Sequence, residues 1–522
     1  MAEPIRKVVI TGDNLASWQC ALSLKKLMPF VDLDIRVVSK REAKPELNHE
    51  LRQDDTVIVA TPTMAYFHRL LGIDERVFMQ RCDARFHLAN AYEFDNQRSF
   101  YLGYAESVCT LDGVTIQHLV SRLASELSGN ETVDADLSIS TLSAESERAA
   151  KFGFSKNPEI AEQLAYGYCF SSAKYTKYIA ELAKQSGVQV TQVDTFHWQG
   201  ADDNRYELSC TEGEIQSQIS ADFFIDCSSD ASMFESFIPI VTVSEQREIA
   251  PKVDVSAELN QGGGSDKHSV QYRFDDKGLT IEALSASSCF TRSLALVPLS
   301  STNSSGDSAT ANSGVGSGTD RFESTLGYQS SPWQGNRLLV GSSAAKLGDL
   351  AIPAVQLVQS SILRLLDLFP NDSNMSACAQ EFNDLSQQEF ERVMEFHLAQ
   401  LHAPELAGSR PKDYLGQAGN LGQVGSVLEN KLSVFKASGV FPVYEGESVS
   451  TDIWVSLLLN CGVIPEYYDP VLDNYPISEV RAFLSQQAKL IASTVAIMPP
   501  HDQYLAQYLA QPVRGKASSV RC

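Results

Sequence analysis

The chain opens on apolar runs too short for helices and unbroken by polar positions. Lys7-Val8-Val9-Ile10 has the pattern of a strand buried on both faces, as in a parallel sheet. A turn-forming stretch from Thr11 to Ser17 follows, then helical spacing from Trp18 to Leu27, then a second strand from Leu33 to Val38. Strand, tight turn, helix and strand within about thirty residues predict a βαβ unit with parallel strands and a right-handed crossover. Ala221 to Cys227 and Asn336 to Gly341 read as further strands of the same sheet. The second leads into a helix, Ile352 to Leu368, stopped by Phe369-Pro370-Asn371. From Glu381 onward the pattern is mostly helical, as in Leu385 to Gln400 and Ser478 to Ala496. Ser300 to Asp320 is rich in Ser, Gly, Thr and Asn and predicts a flexible loop, with a shorter one at Gln261 to Ser265.

Composition narrows the function classes. A chain of 522 residues can bury a large core and form two or three packed domains. Its 43% hydrophobic and 20% charged residues are those of a globular protein. The net charge of −23 opposes phosphate backbones and anionic lipid, so neither nucleic acid nor membrane is an expected partner. The first residues lack an apolar signal region, and no stretch reaches the roughly 20 apolar residues of a bilayer span. The ten cysteines are scattered without a Cys-x-x-Cys pair. A disulfide framework and a zinc site are therefore not expected, and a reducing cytoplasm is.

The βαβ turn is where a dinucleotide would sit. The Gly-x-Gly-x-x-Gly fingerprint needs its glycines for the tight turn, the approach to pyrophosphate and helix–strand packing. Here those positions read Gly12-Asp13-Asn14-Leu15-Ala16-Ser17, and only the first glycine is present. Ser39 stands where an acid would bind the ribose hydroxyls at the end of the second strand.

Several further segments carry a resemblance. Pro62 to Glu75 (with Phe67-His68-Arg69 and Leu71-Gly72-Ile73-Asp74), Tyr166 to Tyr175, Phe224-Ile225-Asp226-Cys227-Ser228, Trp333 with Asn336 to Gly341, and Leu357 to Leu366 closed by Phe369-Pro370 occur in this order. Gly462 to Pro470 and Met498-Pro499-Pro500-His501 follow them. Together they resemble the flavin-dependent tryptophan halogenases along nearly the whole chain. The resemblance implies an α/β fold: an FAD-binding Rossmann-like domain of the GR2 flavoprotein type, with an inserted mixed sheet, over residues 1–380. A mostly helical substrate-type domain is expected over 381–522. It implies FAD as cofactor, a separate flavin reductase as partner, an aromatic, indole-like substrate and a homodimer.

In that family a lysine holds hypohalous acid beside the substrate and a glutamate takes up the ring proton, roles that need a cation or hydrogen-bond donor and a carboxylate. The lysine position is His87, in Cys82-Asp83-Ala84-Arg85-Phe86-His87-Leu88, and the glutamate position is Ala351. The Thr-Gly pair that cradles halide reads Pro353-Ala354, and proline has no N–H for an anion. The Gly-Trp-x-Trp-x-Ile-Pro signature reads Ser293 to Pro298 without either tryptophan, and the Gly-Glu-Ser/Ala-Thr segment reads Val57-Ile58-Val59-Ala60. The cofactor-binding positions that carry over are Gly12, Asp13, Asn14, Ala16, Ser17, Ser39, Ser342 and Val355.

Other polar residues have plainer readings. Asp349 suits a helix N-terminus. Asp226 and Asp230 read as turn residues rather than a metal pair, and His397 and His402, five apart, as structural. Tyr467 and Tyr468 read as aromatic core. Three functional readings stay open. One is a halogenase-fold protein that no longer halogenates, binding FAD weakly or not at all and acting as a ligand-binding protein or partner of an active paralogue. Another is an active flavin-dependent halogenase or monooxygenase with a rebuilt site. The last is a structural subunit whose cavity has collapsed.

Overall fold

The computed structural model describes residues 4–41, 56–95, 98–105, 110–126, 137–151, 158–201, 205–228, 236–251, 269–275, 278–286, 288–296, 321–348, 350, 352–372, 374–409 and 422–511. The expected flexible loops at 300–320 and 261–265, Asp230, Asp349 and Ala351 lie outside these residues.

The opening βαβ unit forms as the pattern requires. Strand Lys7–Thr11 leads into helix Leu15–Leu27 and strand Asp34–Lys40. The first strand is central, pairing in parallel with Asp34–Lys40 on one side and Phe223–Asp226 on the other, so Val9 sits between Arg36 and Phe224. Its apolar run is continuous because Val8, Val9 and Ile10 are all fully buried. Gln189–Val193 and Arg337–Leu339 extend the parallel sheet, and Trp333–Gln334 closes it as an antiparallel edge of a six-stranded sheet.

A second, eight-stranded sheet carries the inserted segments. Its order is Ala345–Lys346, Arg321–Gln329, Phe237–Pro251, Ser288–Leu296, Gly278–Leu284, Val270–Asp275, Ala89–Glu93 and Ser99–Gly103. Among the described residues Val270–Asp275 and Ala89–Glu93 alone pair in parallel, which makes the sheet mixed. Val57–Ala60, Gly167–Ser171 and Arg85–His87 form a small antiparallel sheet against it. The C-terminal part is helical, with helices Ser376–Leu406, Gly422–Ser438, Thr451–Asn460, Ile477–Ala496 and His501–Ala510. Helix Ser376–Leu406 runs through residue 381, so the two expected parts share one element. No helix among the described residues is long and apolar enough to cross a membrane.

Asp226 is more than a turn residue. Fully buried, it accepts from Thr11 Oγ1 at 2.7 Å and from the backbone N–H of Ser228 at 2.9 Å, and it pairs with the equally buried Arg337, Nη2 to Oδ2, at 2.5 Å. The Arg337 guanidinium lies 3.9 Å from the centre of the Trp198 ring. This network ties three adjacent strands together, a role hidden from local sequence because its partners lie more than a hundred residues apart. The Tyr467 reading also changes: Tyr467 is 70% exposed rather than core. Tyr468 is half-buried and packs under Arg122. His397 is structural, as its surroundings below make plain. The cysteines among the described residues are free, and most are buried. No group of three or more metal-ligating side chains occurs among those residues.

Candidate functional site

A cavity of about 430 Å³ lies between the βαβ turn and the eight-stranded sheet. Asn14, Ala16 and Gln19 form one wall, Val57 to Val59 a second, and Glu245, Tyr272, Phe290 and Arg292 a third. The strap from Gly341 to Val358 closes the remaining side. A space of this size lies within the roughly 300–1,000 Å³ of small-molecule sites.

The turn is shaped by its single glycine. Gly12 has φ +111°, and a Cβ there would stand 3.0 Å from the Cys227 carbonyl oxygen. Its N–H donates to Val38 O at 2.9 Å, closing the turn onto the second strand. The residues after it are engaged with one another. Asn14 Oδ1 accepts from Ser17 N at 3.1 Å and Ser17 Oγ accepts from Asn14 N at 3.1 Å, a complete capping box. Asn14 Nδ2 donates to Cys227 O at 2.5 Å, and the Asp13 carboxylate accepts from Trp18 Nε1 at 2.8 Å.

Of the positions carried over as cofactor-binding, Asn14, Ala16, Ser342 and Val355 line the cavity. Gly12, Asp13, Ser17 and Ser39 are not among its lining residues. Gly12 shapes the turn, Ser17 and Asp13 serve the helix start, and Ser39 is 1% exposed with a hydroxyl that has no hydrogen-bond partner.

His87 ends its strand opposite Gly167 and is not among the cavity's lining residues either. Its side chain is fully buried, with Nε2 3.0 Å from Asn90 Oδ1 and the ring edge-on to Tyr104. Nδ1 is buried without a hydrogen-bond partner. Burial lowers its pKa to about 4, so the ring is neutral at pH 7. A neutral, enclosed imidazole is a poor stand-in for a lysine ammonium. Ala351 is outside the described residues, but its neighbours Leu350 and Ile352 line the cavity, as do Pro353 and Ala354. The Ile352 N–H is directed to His397 Nε2 at 3.2 Å, and His397 Nδ1 lies 2.6 Å from Leu347 O. Since Nε2 must accept, Nδ1 carries the proton, and one ring clasps the strap at both Leu347 and Ile352.

Two charged residues of the cavity wall were not singled out from sequence. Arg292 Nε donates to Glu245 Oε1 at 2.6 Å, Nη2 to Oε2 at 2.9 Å, and Nη1 to Gly348 O at 2.5 Å. Both side chains are buried. The signal was present: Phe290, Arg292 and Leu294 alternate along one strand, as do Val241, Val243 and Glu245 along its neighbour, and period two puts all six on the buried face. Gln19 was also missed. It is fully buried, its Nε2 donates to Tyr175 Oη at 3.3 Å, and its Oε1 has no hydrogen-bond partner.

The sequence model of the tryptophan halogenases matches residues 7–236 and 308–476, well over half of the chain. The protein belongs to the tryptophan halogenase family. Solved structures share its fold. The flavin-dependent halogenase Xcc4156 from Xanthomonas campestris is 20% identical, with a TM-score of 0.79 over 98% of this chain and 100% of that one. BrvH, a flavin-dependent halogenase from Brevundimonas sp. BAL3, is 19% identical, with a TM-score of 0.77 over 96% and 99%. The tryptophan 6-halogenase SttH from Streptomyces toxytricini is 16% identical, with a TM-score of 0.75 over 97% and 100%.

Membership implies FAD, and the residues fit that group only in part. The cavity, walled by Tyr272, Phe290 and Ile281, suits a flat ring system and a short chain. The positions that would hold the adenylate half do not fit, because the helix start is self-capped, an acid sits at Asp13 and Ser39 is covered.

Proposed function

We propose that this halogenase-family protein binds a flat aromatic ligand in its cavity and does not halogenate, acting as a ligand-binding protein or as a partner of an active paralogue. The observation that carries this reading is His87. At the position of the family's oxidant-holding lysine stands a neutral ring, fully buried, bonded to Asn90 and set apart from the cavity lining. Proline at position 353 supports it, since the halide cradle loses a backbone donor there.

The purified protein, supplied with a flavin reductase, NADH, flavin, chloride or bromide, and tryptophan or indole, is expected to yield no halogenated product by mass spectrometry. Product that disappears in His87→Ala would overturn the reading. A second reading, an active flavin-dependent halogenase or oxygenase with a rebuilt site, is favoured by one observation. The cavity keeps a cation, Arg292, in its wall. It predicts oxygen consumption with reduced flavin and a hydroxylated or halogenated aromatic product.

A further inference from the structure

We infer that the cavity takes a mononucleotide-sized flavin, of the riboflavin or FMN class, in preference to the dinucleotide FAD. The inference rests on the ligand-binding reading above and specifies its ligand.

A dinucleotide on a βαβ unit makes three demands. Pyrophosphate sits on the N–H groups at the start of the first helix, backbone approaches it through glycine, and an acid at the end of the second strand meets the ribose hydroxyls. Each of the three is compromised here. The Ser17 N–H is taken by Asn14 Oδ1, and Asn14 is pinned across the turn to the Cys227 carbonyl. Ala16 places a Cβ 3.0 Å from where a Cβ at Gly341 would be, so the helix start and the strap already approach closely. Asp13 puts a carboxylate beside the helix start, where it would repel phosphate. At the second strand's end, Ser39 is covered and lacks a carboxylate. Arg41, just beyond it, is engaged by Asp194 at 3.2 Å and Glu212 at 2.7 Å.

The cavity has the opposite character. Its volume, about 430 Å³, sits toward the small end of the usual range, and its lining includes Asn14 and Ala16 but not Ser39. Among the described residues its lining reaches the helix start and does not include the end of the second strand. Aromatic and aliphatic faces from Tyr272, Phe290, Ile281 and Val57 can sandwich a ring. Lys346, exposed at the rim, is a cation available to a terminal phosphate.

The test is a titration of the full-length protein with riboflavin, FMN and FAD, followed by quenching of flavin fluorescence, with ADP as competitor. FMN or riboflavin should bind at least tenfold more tightly than FAD, and millimolar ADP should not displace them. In Asn14→Gly, which frees the helix start, the gap between FMN and FAD should narrow. FAD binding as tight as FMN, or displacement by ADP, overturns the inference. It leaves the non-halogenating reading standing, because that reading is decided by product formation. Failure of every flavin to bind overturns the inference as well, and binding of indole in the same titration would then show that the cavity still takes an aromatic ligand.

Discussion

Arg292 and Glu245 face each other as a two-pronged pair in the cavity wall, with Nε–Oε1 at 2.6 Å and Nη2–Oε2 at 2.9 Å. They sit on neighbouring strands two register positions apart, since Glu245 is opposite Leu294 and Arg292 is opposite Arg247. Removing one member takes the two-pronged partner away from the other buried charge. Arg292→Met should therefore destabilise the protein by about 3–5 kcal/mol, read as a lower denaturant midpoint. The double replacement Arg292→Met with Glu245→Leu should recover much of that loss. If the single variant cost under about 1 kcal/mol, the pair would be behaving as a solvated surface contact.

Gly341 joins the strap to the opening helix. Its φ is +72°, and an added Cβ would lie 3.0 Å from the Ala16 Cβ. Gly341→Ala combines left-handed strain with a close contact, so a cost of about 1–3 kcal/mol is expected. Thermal unfolding measures it. Adding Ala16→Gly should relieve the contact and return part of the loss, whereas strain alone would leave the double variant no more stable than the single one.

The βαβ unit, the buried strands and the long helices were legible because each is a local pattern. Lys7 to Ile10 could be nothing but a buried strand, and Phe369-Pro370 had to end a helix. The weakness of the nucleotide turn was legible too, since glycine is either present or not. The reuse of Asn14 and Ser17 as a capping box was also written locally, in an Asn followed three residues later by a Ser, yet the fingerprint drew attention away from it. The Asp226–Arg337 pair, the Arg292–Glu245 pair and the His397 clasp join residues 45 to 111 positions apart. No local pattern names such partners. Burial of a charge can be read from strand period, but the identity of its counter-charge needs the fold.

His397 accepts from Ile352 N at 3.2 Å and donates to Leu347 O at 2.6 Å, holding the strap that lines the cavity. His397→Ala leaves two backbone groups without their partner, at about 1–3 kcal/mol for each that stays buried. The specific expectation is local. Amide exchange at Ile352 should quicken more than at Val9 in the central strand, and ligand affinity should fall with the loosened strap. Uniform acceleration at both amides would mean that the ring supports the whole core rather than the strap.

Acid should destabilise the protein well above the range where carboxylates titrate. Burial lowers the pKa values of both His68 and His87 to about 4; Glu75 partly opposes this at His68, and the Asn90 hydrogen bond partly opposes it at His87. Both rings are neutral when folded, while an unfolded histidine takes up a proton near pH 6.5. Between those values the unfolded state binds more protons, so stability falls as pH drops from about 6.5 to about 4 and is fully present above 6.5. Each ring contributes on the order of 3 kcal/mol to that loss. Glu395 works against it, because burial raises its pKa and protonation then favours the folded state. Thermal midpoints at pH 7.5, 6, 5 and 4.5 should trace the decline, and His87→Gln should flatten it by removing one of the two rings. An unchanged slope in that variant would show that His87 is protonated as readily in the folded chain as in the unfolded one, contrary to its enclosure beside Asn90 and Tyr104.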